Sequence, residues 1–74
     1  MSWNVSFAAG SPEAISAELD KNEYIPAGVK QTIVNATKDM TLKPEEVALV
    51  KTEGHVEPRY GGRGTFEVMI VKRL

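Results

Sequence analysis

This chain contains no cysteine, which removes disulfides and thiolate metal sites together. It has one histidine and one tryptophan, and aromatic residues make up 7% of it, so neither a histidine-rich metal set nor a broad stacking surface is available. An excess of one charge is also missing. Nine basic residues stand against ten acidic ones, a net charge of −1, which argues against a dedicated nucleic-acid binder. No apolar run approaches the roughly 20 residues of a membrane span. The chain opens into strand-like alternation, not a basic segment followed by an apolar one, so no secretory signal is expected and the expected location is cytoplasmic. No nucleotide motif and no nucleophile elbow is present, and Ser-His-Asp chemistry has no supporting spacing. An enzyme is not expected, and no cofactor is implied by the residues.

At 74 residues the chain has room for one domain, residues 1–74. A domain of that size buries only about 60% of the surface its unfolded chain exposes. Without disulfides or metals, oligomerisation is the compensation left.

What is present is a clear order of elements. Residues 2–9 alternate, with Trp3, Val5, Phe7 and Ala9 on one side and Ser2, Asn4, Ser6 and Ala8 on the other, the period of a half-buried strand. Gly10 ends it. Ser11-Pro12-Glu13 supplies a capping hydroxyl, a proline for the first helical position and a first-turn acid. A helix to about Asn22 follows, with Ile15 and Leu19 inward. Pro26 breaks the pattern at Ile25, and a second helix is expected over about Ala27 to Asp39, with Val29, Ile33, Ala36 and Met40 as its apolar stripe.

Two further apolar runs, Val47-Ala48-Leu49-Val50 and Phe66-Glu67-Val68-Met69-Ile70-Val71, flank the loop Glu57-Pro58-Arg59-Tyr60-Gly61-Gly62-Arg63-Gly64. Runs bounded in this way read as an antiparallel hairpin. The expected fold is therefore α+β, ordered β-α-α-β-β. It has a three-stranded antiparallel sheet with both helical segments on one face. The last strand is the most apolar, which predicts a central position and the spatial order 1-3-2. Val47, Leu49, Phe66, Val68 and Ile70 are expected beneath the helices. Val50, Val56, Met69 and Val71 are expected on the opposite face, as an apolar interface for self-association or for another protein. Thr52, Thr65 and Glu67 are expected beside them.

Other groups merit a functional reading. His55 lies between Glu53 and Glu57 at alternate positions, a pattern that could line a weak metal or proton site, although a solvated strand end is the simpler reading. Arg59, Tyr60 and Arg63, set among glycines, could hold a phosphate or stack on a base; the simpler reading is a mobile hairpin tip. Trp3 belongs to the core by its alternation with Val5 and Phe7.

The stretches Val5 through Gly10-Ser11-Pro12-Glu13, Glu46-Val47 to Gly54-His55-Val56, and Phe66-Glu67-Val68 to Leu74 resemble the layout of the dodecins. Those are small strand-helix-strand-strand proteins that assemble into hollow dodecamers and bind flavin. The resemblance implies an oligomer holding a small aromatic ligand. Where dodecins carry their flavin-stacking tryptophan this chain has Pro44-Glu45-Glu46, and Glu67 falls near their third-strand glutamine. The plan of Trp3-Asn4-Val5-Ser6-Phe7, a helical middle over residues 11–40, and Gly54-His55 before a glycine-rich loop is also similar to small proteins encoded by bacteriophages of actinobacteria. That similarity implies a non-enzymatic accessory protein acting in the host cytoplasm, on itself or on a host protein, and it transfers no site residues.

Overall fold

Strand β1 (Ser2–Ala9) leads into helix α1 (Pro12–Asp20) and helix α2 (Ala27–Thr37), and the long strands β2 (Glu46–Glu57) and β3 (Gly61–Lys72) complete the chain. This computed structural model describes residues 1–57, 59 and 61–73. The three strands form one antiparallel sheet. The α+β class and the order of elements are those expected.

The helices begin where local chemistry allows. The hydroxyl of Ser11 accepts from the Ala14 amide at 3.1 Å, with Pro12 and Glu13 in the first turn. Helix α1 stops short of Asn22, whose Nδ2 donates to the Glu18 carbonyl at 2.9 Å and so satisfies one of the free carbonyls at the helix end. In α2 the inward stripe contains Thr37 in place of Ala36, which is exposed. Thr37 is buried because its hydroxyl donates to the Ile33 carbonyl at 2.9 Å, leaving only its methyl to pack. Ile15, Leu19, Ile25 and Ile33 from the helical layer meet Trp3, Ala9, Ala48 and Val50 from the sheet to form the core.

The strand order is 1-2-3, with β2 in the centre, which corrects the expected 1-3-2. Apolarity alone put β3 in the middle. The central strand is the one with small residues on the helix-facing side, Ala48 and Gly54, and these let the helices and an indole approach closely. Register gives the detail: Trp3 pairs with Gly54, and Gly54 pairs with Gly64. The Trp3 ring lies across both glycines, and a Cβ on either one would overlap it. Trp3 Nε1 donates to Thr52 Oγ1 at 3.2 Å, and that hydroxyl donates to the Thr65 carbonyl at 3.0 Å. One buried hydrogen-bond chain thus ties all three strands together.

The same glycines correct the expected loop over 57–64. Strand β2 runs through Glu57 and β3 begins at Gly61, paired with it. Gly61 has φ +77°, a conformation other residues rarely adopt. Gly62 lies under the Pro26 ring with no room for a side chain, and Gly64 lies under Trp3. These are sites of close approach within a strand. Among the described residues no buried side-chain nitrogen or oxygen lacks a partner.

Gly64→Val should destabilise the protein by about 1–3 kcal/mol, because overpacking against the indole outweighs the better strand propensity of valine. Urea unfolding followed by Trp3 fluorescence measures it, and an unchanged or raised midpoint contradicts the close approach. Thr52→Val preserves shape but orphans the indole N–H, at about 1–3 kcal/mol, whereas Thr52→Ser should stay near wild type.

Candidate functional site

With the helices on one side, the opposite face of the sheet is bare among the described residues. Alternation along the registered strands sets its rows. From the hairpin end they read Ser2, His55, Arg63; then Asn4, Glu53, Thr65; then Ser6, Lys51, Glu67; then Ala8, Leu49, Met69; and last Val47 with Val71. The face therefore has a charged half and an apolar half. Leu49 and Met69 are 39% and 53% exposed. They line a groove of about 340 Å³ with Ser6, Ala8, Lys51 and Glu67.

The four residues expected to form the interface are not all on this face. Met69 and Val71 are there as expected. Val50 is fully buried in the core, and Val56 is on the helix side, packed against that core. Val47 and Leu49, expected beneath the helices, take their places outside. Thr52 is inside as well, while Thr65 and Glu67 are outside. The phase of β3 was thus legible and that of β2 was inverted. Val47 to Val50 are apolar on both faces, so alternation there carries no phase. A usable signal lay further along, in Lys51, Glu53, His55 and Glu57 at every second position, which fixes the odd-numbered residues as outward.

At the charged end, His55 Nε2 lies 3.0 Å from Glu57 Oε1, with both side chains about half exposed. Glu53 shares their face, but no three histidine, aspartate or glutamate groups among the described residues converge to hold a metal. Arg63 is held on the outer face of β3 opposite His55, and Arg59 is exposed in the turn. Arg63 thus lies within a strand and Arg59 in the turn, and Tyr60 lies outside the described residues.

Trp3 is 4% exposed and seated on glycine, which leaves no ring face open for stacking. Glu67 is exposed on the outer face, and residues 44–46 contain no aromatic. These residues do not fit a flavin held by an aromatic plane. Among the described residues, no helix is long and apolar enough to cross a membrane. No protein-family model, curated protein or solved structure matches this chain.

The bare face combines an apolar half with a border of Lys51 and Glu67, charges of both signs. Its orientation is checked by paired substitutions. Val71→Glu should cost under about 1 kcal/mol, as surface changes do, whereas Val50→Glu should prevent folding by burying an unpaired carboxylate. Circular dichroism of the two variants decides between the phases, and similar losses at both positions would refute this assignment of faces.

Proposed function

We propose that the protein is a non-enzymatic interaction module that associates with a second copy of itself through the apolar half of its bare sheet face. The observation that carries this reading is the pair Leu49 and Met69, both exposed large apolar side chains in rows adjoining Val47 and Val71. Contiguous apolar surface on a small soluble protein marks a contact site more often than chance. Size adds to the case. Among the described residues the core holds eight buried apolar ones, and a fold with so small an interior gains proportionately from burying more surface on assembly.

The charges bordering the patch favour a symmetric contact. Lys51 and Glu67 are cross-strand partners on this face, so a two-fold axis in the plane between stacked sheets gives each copy's lysine a carboxylate to approach. Opposite charges at the rim contribute to register and encounter rate more than to affinity.

Sedimentation velocity at high micromolar concentration should show an assembly larger than the monomer. Leu49→Glu should weaken it by about 30-fold or more, since a carboxylate buried in an apolar contact costs about 2 kcal/mol or more, while leaving the unfolding midpoint within the surface range. A wild-type monomer at that concentration sinks the self-association reading and leaves contact with a different protein as the use of this face.

A further inference from the structure

We infer that the free edge of β3 is a second contact surface, and that its occupant is the same edge of another copy, joined antiparallel about a two-fold axis at Ile70. The two sheets then form one six-stranded sheet. This goes beyond the face contact proposed above and rests on a different observation. Ile70 is 47% exposed, yet by register with Ala48 it is on the helix side of the sheet. No partner docked on the bare face reaches it.

The C-terminal half of β3 is thus an edge strand with large apolar side chains open on both sides, Met69 outside and Ile70 inside. Natural edges are guarded by proline, bulges or charged side chains, and the charges of this half, Glu67, Lys72 and Arg73, flank Met69 and Ile70. Here pairing with β2 runs unbroken from Glu46–Lys72 to Glu57–Gly61 without a bulge, and β3 has no proline. The other edge differs. The outward-facing residues of β1 are Ser2, Asn4, Ser6 and Ala8, and its Trp3 and Ala9 are buried. Among the described residues, the large exposed apolar side chains within an edge strand, Met69 and Ile70, are both on β3.

The backbone phase is also defined. The Arg73 amide donates to the Glu45 carbonyl at 2.7 Å. Because antiparallel residues alternate between facing one neighbour and the other, Phe66, Val68, Ile70 and Lys72 point their N–H and C=O groups away from β2, toward open solvent.

Charge selects the occupant and the register. A two-fold normal to the sheet pairs odd-numbered residues of β3 with odd-numbered ones of the second copy. Glu67 then meets a cation only when the axis passes through Thr65, opposite Arg63, or through Ile70, opposite Arg73. The Thr65 axis sets Met69 against Gly61 and leaves Ile70 beyond the start of the facing strand. It also lies where α2 flanks the edge, with Pro26, Val29 and Thr32 along a groove against Gly62 and Phe66. The Ile70 axis lies beyond that groove. It matches Ile70 with Ile70 of the partner subunit, Met69 with Val71 of the partner subunit, and Val68 with the stem of Lys72 of the partner subunit. Arg73, exposed and now beside Gly10, turns to meet Glu67 of the partner subunit. About six backbone hydrogen bonds close the junction.

Amide hydrogen exchange on the native protein, at a concentration where sedimentation shows an assembly, tests this directly. Val68 and Ile70 should exchange slowly while Asn4 and Ser6, on the β1 edge, exchange fast. Fast exchange at both edges overturns the inference. Sedimentation of the Leu49→Glu variant separates it from the face contact, because edge pairing should survive as a dimer there, and a monomer overturns it. In that background Ile70→Pro, tolerated on an edge, should raise Kd about 30-fold by deleting two backbone hydrogen bonds. If the proline disturbs the strand, Ile70→Lys serves instead, placing like charges opposite each other at the axis. A dimer indifferent to Ile70→Lys also overturns the inference.

Discussion

The architecture depends on one contact, the indole of Trp3 seated against Gly54 and Gly64. A tryptophan on the first strand covers the middle strand and reaches the third, which only backbone without side chains permits. Glycine weakens a strand by its entropy and its lack of packing surface, and the aromatic plane restores the missing contacts, as in designed sheets where rings cover glycine positions. The ring's polar atom is accommodated as well. Thr52 accepts from the indole N–H and donates its own hydroxyl hydrogen bond to the Thr65 carbonyl, so a polar residue inside the core is fully used and adds direction to the packing. A buried polar group that is satisfied specifies one arrangement over others.

Much of the rest follows from that contact. Trp3 opposite Gly54 fixes the register of β1 on β2, and with it the central place of β2 and the side on which the helices lie. The odd-numbered residues of β2 are consequently turned out, and Leu49 joins Met69 on the bare face. The exposed surface is thus a by-product of how the interior is arranged, and a one-residue slip of β2 would exchange its charged row for its core row.

Local features were legible in the sequence. The first strand, its inward set, the cap at Ser11, the break at Pro26 and the hairpin each rest on chemistry within a few residues. The sequence misled where information was distant or double-sided. Strand order depended on what lay across from Trp3, about fifty positions away. The phase of β2 was hidden by Val47 to Val50, apolar on both faces, and Thr52 read as solvent-facing because its hydrogen-bond partners come from other strands. The glycines at 61–64 read as looseness, since a requirement for close approach is visible only once Pro26 and Trp3 are in place. Of the expected interface, Met69 and Val71 were in the right place because the outward Glu67 two residues away marks the phase of β3.

The placement of β1 has a consequence for how the chain folds. The hairpin of β2 and β3 closes over a short turn, so it can form early at little cost in chain entropy. Strand β1 must find β2 across the whole helical region, with Trp3 and Thr52 separated by 49 positions. Non-local pairing of this kind slows the search. The indole should therefore reach its glycine seat late, after the hairpin and helices have collapsed, so tryptophan emission reports the last stage of folding and not the first.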